Sequence, residues 1–294
     1  MTRQEFADLA SNHILLLDGA TGSNLIKAGM PRGFCPEEWI LENPEAIINL
    51  QKAYAEDGSN IVYAPTFTCN RHAMANFGLA DQLQEMNIEL VKLSRQAVGE
   101  GVLVAGDLTT TGVMLEPRGP MTYERLLDIY KEQITYLCEA GVDLLVAETM
   151  LGVDETMAVL DAANEICDLP VMCSLSLEAD GNALFGGSGL EAVETLQEMG
   201  ASAIGVNCSV GPDQLEAVIR NMAAVSRVPI IAKPNAGMPV ITETGEAVYR
   251  MSEEEFAKHM KVLVDAGAGI IGGCCGTAPG YIAGLKKMLE ENTI

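Results

Sequence analysis

Eight short runs rich in Val, Ile and Leu recur through the chain, each followed by residues with apolar positions every three or four places. This alternation limits the possible folds more than any other feature. The runs are 14–18 (ILLLD), 60–64 (NIVYA), 102–107 (VLVAGD), 143–148 (DLLVAE), 170–177 (PVMCSLSL), 202–207 (SAIGVN), 229–232 (PIIA) and 269–273 (GIIGG). Continuous apolar strands are those buried on both faces, which is the condition of a parallel sheet with helices packed over it. Between them, "MTYERLLDIYKEQITYLCEAG" and "MSEEEFAKHMKVLVDAG" show helical spacing and close on glycine. Eight β–α units predict an α/β fold, a single (β/α)8 TIM barrel. No linker or low-complexity stretch interrupts the 294 residues, so one barrel domain over 1–294 is expected.

Charge and composition narrow the partners. The net charge is −23 and Lys and Arg are not clustered, so nucleic acid and anionic membrane surfaces are not expected partners. The start, "MTRQEFADLASNH", lacks the basic and apolar regions of a signal peptide, and no run reaches the ~18 apolar residues of a membrane span. A soluble cytoplasmic protein is expected. In that setting eight cysteines point to free thiols, metal ligation or catalysis rather than a disulfide scaffold.

In this fold the active site lies where strands end, and the polar residues collect there. In order, the ends carry Asp18, Thr66 and Phe67, Asp107, Glu148, Ser176 with Glu178, Asn207 with Cys208, Lys233 with Asn235, and the adjacent Cys274 and Cys275. Strands six and eight are separated by one neighbour, so Cys208, Cys274 and Cys275 are expected to converge at the C-terminal rim. Three thiolates suit zinc with its fourth position open to water or substrate. The glycines around "GGCCG" let both sulfurs turn to one ion. Buried core cysteines and a redox-active vicinal pair remain alternatives on spacing alone.

Six stretches carry a further likeness: "LLLDGATGSNL" (15–25), "PTFTCNR" (65–71), "VAETM" (146–150), "GVNCSVGP" (205–212), "KPNAGMP" (233–239) and "GGCCGTAP" (272–279). On these the chain resembles the homocysteine S-methyltransferase family, which includes the homocysteine-binding module of cobalamin-dependent methionine synthase and betaine-homocysteine methyltransferase. The resemblance implies a (β/α)8 barrel with Zn2+ held by Cys208, Cys274 and Cys275. It implies a substrate site for L-homocysteine at Asp18, Gly19 and Glu148, with Glu148 meeting the ammonium group, and at Asn235, a displaceable fourth metal ligand in some members.

The implied reaction moves a methyl group to the homocysteine thiol and gives methionine. One barrel is expected to hold neither a folate nor a cobalamin module, so the donor is expected from outside. The resemblance favours a methylcorrinoid protein or a methyltetrahydrofolate-linked system in trans. S-methylmethionine, S-adenosylmethionine and betaine are the alternatives. With one tryptophan, Trp39, and 5% aromatics, no aromatic cage for a cationic donor is evident. "GDLTTTG" (106–112) stands where the synthase-like pattern has a glycine-proline turn.

Other readings are weaker. "GSGLEA" (187–192) lacks the strand-turn-helix context of a dinucleotide fingerprint and is expected to be a loop near the substrate. His13, His72 and His259 each stand alone. Cys35, Cys138, Cys167 and Cys173 are expected to be structural, with Cys138 and Cys167 on helical patterns, and Cys69 to pack or to line the site. Lys233 suits either an anionic substrate group or a rim carboxylate. A non-catalytic zinc or thiol sensor is the alternative from another class. A zinc hydrolase is disfavoured, because three thiolates lower the Lewis acidity that water activation needs.

Overall fold

In the computed structural model, which describes residues 1–242 and 247–291, all eight apolar runs are strands. They are β1 (Leu15–Leu16), β2 (Ile61–Tyr63), β3 (Leu103–Thr109), β4 (Leu144–Met150), β5 (Val171–Leu175), β6 (Ala203–Cys208), β7 (Ile230–Pro234) and, after a two-stranded hairpin of β8 (Val240–Ile241) and β9 (Ala247–Val248), β10 (Ala268–Ile271). The eight long-range strands pair in parallel in the order β1-β10-β7-β6-β5-β4-β3-β2. The circle closes where Leu17 bridges Ile61 and Asn60 N–H donates to the Leu16 carbonyl at 2.7 Å. The expected (β/α)8 barrel is the observed fold.

Side chains alternate along each strand, and the two sets separate into two cores. Leu15, Leu17, Ile61, Ala105, Val146, Met172, Ala203, Ile231 and Ile270 fill the barrel interior, while Leu16, Val62, Val104, Leu145, Cys173, Ile204, Ala232 and Ile271 face the helices. Each fully buried aliphatic side chain contributes about 1.5–3 kcal/mol, so a one-residue slip of a strand would forfeit both sets at once. At the N-terminal end of the strands the helix Arg3–Asn12, started by a Thr2–Glu5 capping box, sends Phe6 into the interior cluster. That end is thereby plugged, and the opposite end is left for chemistry.

The threonine-rich segment after β3 is held by a buried carboxylate. Glu155, 4% exposed at the start of the helix Val153–Ile166, accepts from Thr110 Oγ1 (2.5 Å), Thr111 N (2.7 Å), Thr111 Oγ1 (2.8 Å) and Tyr130 Oη (3.0 Å). Removing the acceptor strands the buried Tyr130 hydroxyl, at about 1–3 kcal/mol, and frees three part-buried donors of Thr110 and Thr111 at a smaller cost each. Glu155→Ala is expected to lower the unfolding free energy by about 3 kcal/mol, read from urea melts, while Glu165→Ala on the same helix should change it little.

Candidate active site

The interior of the barrel changes character towards the strand ends. Two residues beyond the inward-facing Ala105, Val146 and Ile231 come Asp107, Glu148 and Lys233, each less than a tenth exposed. The same alternation that packs the core therefore aims these charges inward. Lys233 Nζ lies 3.1 Å from Glu148 Oε1, 3.5 Å from Asp18 Oδ1 and 4.8 Å from the centre of the Tyr63 ring. Asp18 Oδ2 accepts from Tyr63 N–H at 2.8 Å. Among the described residues, Asp107 Oδ1 is buried with no hydrogen-bond partner, and Glu148 Oε1 and Asp18 Oδ1 face only the Lys233 ammonium.

Burial sets the protonation of this group. It pushes the Asp18 carboxyl up to about 6 despite Lys233 and the Tyr63 N–H. It raises Glu148, and with the Glu148 charge it holds Asp107 well above the carboxylate range. Burial also opposes the Lys233 charge, but Glu148 and Asp18 outweigh it and hold the ammonium well above its usual range.

Beside these charges the Sγ atoms of Cys208, Cys274 and Cys275 lie within 4.8 Å of one another, with 3.9 Å between Cys208 and Cys275. Cys274 N–H donates to the Pro234 carbonyl (2.7 Å), Ala236 N–H to the Cys275 carbonyl (2.9 Å), and Thr277 Oγ1 to the Cys274 carbonyl (2.7 Å). The end of β7 and the turn after β10 are thus locked together. Gly276 has φ +87°, and a Cβ there would fall 2.3 Å from the Tyr249 ring, so only glycine fits. Hydrogen bonding from Cys208 first, then from Cys274 and the Tyr249 hydroxyl, lowers the Cys275 thiol to about 3 against the effect of burial, while Cys208 is raised.

Asn207 fixes the strand ends behind them. Its Oδ1 accepts from Thr149 N (2.9 Å) and Ser174 Oγ (2.8 Å), and its Nδ2 donates to Thr149 Oγ1 (2.7 Å), tying β4, β5 and β6. Thr149, Cys208 and Ser209 have φ of 57°, 57° and 59°. Left-handed backbone at non-glycine residues costs on the order of 1–3 kcal/mol each, and here it is concentrated beside Glu148 and the first thiol. The charges and thiols share one cavity of about 490 Å³. Gly19 forms part of its wall, where a Cβ would come within 2.6 Å of the Tyr54 hydroxyl.

The family model for homocysteine S-methyltransferases matches residues 15–289. The chain belongs to the homocysteine S-methyltransferase family. Among curated relatives, the methionine synthase of Mycobacterium tuberculosis (strain ATCC 25618 / H37Rv) is 26% identical over 95% of this chain and 25% of its own length. The methionine synthase of Mycobacterium leprae (strain TN) is 26% identical over 95% of this chain and 24% of its own length. The chain thus spans about a quarter of those proteins. A crystal structure of the homocysteine methyltransferase MmuM from Escherichia coli, in its metallated form, superposes with a TM-score of 0.80 at 24% identity, covering 96% of this chain and 98% of that one. That likeness shows the shared barrel.

Of the family-like positions expected from sequence, Asp18, Gly19, Glu148, Cys208, Cys274 and Cys275 all line the cavity. Asn235 does not line it: its Nδ2 donates to the Ser209 carbonyl at 3.1 Å, and its Oδ1 is buried without a partner. Lys233 takes the rim carboxylates. Cys69 packs in a separate cluster with Cys35 and Met74, and the "GSGLEA" segment lies outside the cavity, its Ser188 capping the helix Gly189–Glu198. Tyr249 and the Asn207 clamp were missed. Tyr249 arrives from the β8–β9 hairpin, which no periodicity announced, whereas Asn207 stood beside a singled-out cysteine and the parity of β6 points it inward. No helix of the described residues is long and apolar enough to cross a membrane.

Proposed function

We propose that residues 1–294 form one homocysteine-binding barrel that transfers a methyl group to the thiol of L-homocysteine in a zinc-dependent reaction, giving methionine. The observation that carries this reading is the meeting, in one cavity, of three convergent thiols with the buried carboxylates Asp18 and Glu148, whose only cationic partner among the described residues is Lys233. The donor set fits zinc. Sulfurs ~2.3 Å from a tetrahedral ion stand ~3.8 Å apart, and the Cys208–Cys275 separation is 3.9 Å. Cys208, Cys274 and Cys275 would hold the ion, which when bound supplies the Lewis acidity that takes the proton from an incoming thiol. Around them, Glu148 and Asp18 receive the substrate ammonium. Asp107 is held neutral by burial and by the Glu148 charge, so with Asp18 and Glu148 ionised and Lys233 charged one negative charge is in excess, and the ammonium offsets it. The carboxylates fix the amino end, and the substrate sulfur is held towards the thiols to attack the donor methyl in line.

For the donor, a methylcorrinoid protein or a methyltetrahydrofolate-linked system in trans is the first reading, supported by the methionine synthase relatives and by exposed apolar Met238, Val240 and Ile241 after β7. A small donor, S-methylmethionine, S-adenosylmethionine or betaine, is the second, supported by the match to 98% of the MmuM chain. Methionine formation is to be assayed with each donor, free methylcobalamin included, on protein of measured zinc content. About one zinc per chain and zinc-dependent methionine from at least one donor is expected. Full activity after chelation removes all the zinc would overturn the reading.

Tyr249→Phe keeps the ring over Gly276 and deletes only the hydroxyl that meets Cys275. Loss of such a hydrogen bond behind a ligand costs on the order of 10-fold in metal affinity, and that weakening is expected in competition with a chromophoric chelator. Acidity should act through the carboxylates. Asp18 sits near 6 instead of 3.8, so it is ionised at pH 7.5 and protonates as the pH falls through about 6. The homocysteine KM is expected to rise below that pH. The sign for stability is opposite: a carboxyl whose folded value lies above its unfolded one favours the fold as it gains its proton, and loses that contribution as the pH rises. Acid loss of binding should therefore precede unfolding, checked by measuring KM and thermal melts across pH 5–8.

A further inference from the structure

Two of the cysteines outside the active site meet at the opposite end of the barrel. Cys138 lies in the last turn of the helix Tyr123–Ala140, six residues before β4 begins, and Cys167 directly follows the helix Val153–Ile166, four residues before β5 begins. Both therefore sit at the N-terminal ends of the strands, whereas the active-site thiols sit at the C-terminal ends. The two helices run side by side in parallel: Tyr123 Oη donates to Asp161 Oδ2 at 2.5 Å and Lys131 Nζ pairs with Glu165 Oε2 at 2.5 Å. Towards the ends of these helices Cys138 and Cys167 line one cavity, close enough for each to perturb the other's ionisation.

The surroundings distinguish the two sulfurs. Cys167 does not continue its helix, as the sequence pattern suggested, but turns to extended backbone with φ −153°. There its sulfur lies beside the Cys138 thiol and the Leu169 N–H and in the field of Arg3, whose guanidinium is fixed by Asn164 Oδ1 (2.7 Å) and the Leu169 carbonyl (3.4 Å). These neighbours, Cys138 first, bring the Cys167 thiol down to about 6, and Cys167 in turn raises Cys138. Both thiols are partly exposed and open on a cavity of about 530 Å³ walled also by Arg3, Val142 and Leu169. Cys35, Cys69 and Cys173, by contrast, are fully buried.

We propose that Cys138 and Cys167 are a redox-active dithiol, with Cys167 the attacking and Cys138 the resolving sulfur, that reacts with low-molecular-weight disulfides entering this cavity. The Cys167 thiolate attacks one sulfur of the small disulfide, forming a mixed disulfide and expelling one small thiolate. Cys138 then loses its proton to solvent and attacks the Cys167 sulfur, expelling the second small thiolate and leaving a Cys138–Cys167 disulfide. The protein gives up two electrons, and the small disulfide becomes two thiols. The bond joins two barrel helices on the face away from the methyl-transfer site.

The test uses the full chain loaded with zinc, treated with oxidised glutathione and mapped by peptide mass spectrometry. A Cys138–Cys167 disulfide is expected in the wild type. Cys138→Ala should stop at glutathione on Cys167, and Cys167→Ala should leave Cys138 unmodified. Iodoacetamide should alkylate Cys167 in the reduced wild type on the order of 10-fold faster than in Cys138→Ala, since the variant lacks the thiol that stabilises the thiolate. An unmodified pair in wild type, or equal Cys167 alkylation rates in wild type and Cys138→Ala, would overturn the assignment. Both readouts stand if the methyltransferase reading fails, because neither uses that activity.

Discussion

Cys274→Ala is expected to abolish homocysteine methylation, lowering kcat/KM by about 10³-fold or more, and to leave the purified protein with little zinc. The magnitude has two parts. A free thiol with a pKa near 8.5 is only about 3% thiolate at pH 7, so loss of activation alone costs ~30-fold. A substrate sulfur no longer held in place loses on the order of 10²-fold more. Of the three ligand candidates Cys274 is the most enclosed, at 9% exposure, and its backbone N–H and carbonyl are both fixed, by Pro234 and Thr277. Its sulfur therefore cannot be replaced by a neighbour shifting over. Cys69→Ala supplies the control: it removes a thiol at 0% exposure from another cluster and should leave zinc content unchanged and kcat/KM within about two-fold. Elemental analysis beside steady-state kinetics reads both. Full zinc with normal kinetics in Cys274→Ala would remove the thiol cluster from the mechanism.

Why the strands and thiols could be read from sequence, and the charge network only partly, follows from how each is encoded. A strand buried on both faces is a continuous apolar run, so β3 and β4 announce themselves as VLVAGD and DLLVAE. Strand order in a closed barrel follows chain order, and that alone brings Cys208 near Cys274 and Cys275. The partner of Lys233 needed one more step: knowing that Ile231 faces inward places Lys233 inward too, and the inner face of β4 then supplies Glu148. Tyr249 and the Cys138–Cys167 pair were out of reach for different reasons. Tyr249 depends on how a short hairpin folds back over Gly276, and the dithiol depends on the register between two helices, which helical periodicity within each does not specify. Glu155 looked like any acidic residue of a first helical turn; only the position of Thr110, Thr111 and Tyr130 makes it the anchor of the loop after β3.

Glu148→Ala is expected to raise the homocysteine KM by about 100-fold while zinc content stays at the wild-type level. Truncating one member of a desolvated charge pair costs on the order of 2–5 kcal/mol, and 100-fold corresponds to about 2.7 kcal/mol at 25 °C. The cost should appear in KM because the carboxylate holds the amino group equally in the ground and transition states. Two features separate binding from collapse. Lys233 keeps Asp18 as a counter-ion 3.5 Å away, so its charge is not stranded when Glu148 is lost. The backbone at this position is held independently, since Thr109 Oγ1 donates to the Glu148 carbonyl at 2.8 Å and Asn207 fixes Thr149, and neither contact uses the carboxylate. Glu148→Gln sharpens the test: it fills the same space, keeps an acceptor oxygen and lacks only the charge. If the ammonium is what Glu148 meets, Gln should bind homocysteine almost as poorly as Ala and should bind 4-mercaptobutyric acid, which bears no amino group, no worse than wild type. An unchanged homocysteine KM in Glu148→Gln would move the ammonium to another of the buried carboxylates that line the cavity, Asp18, Asp107 or Glu37. Loss of zinc together with activity would instead show that Glu148 supports the thiols and not the substrate.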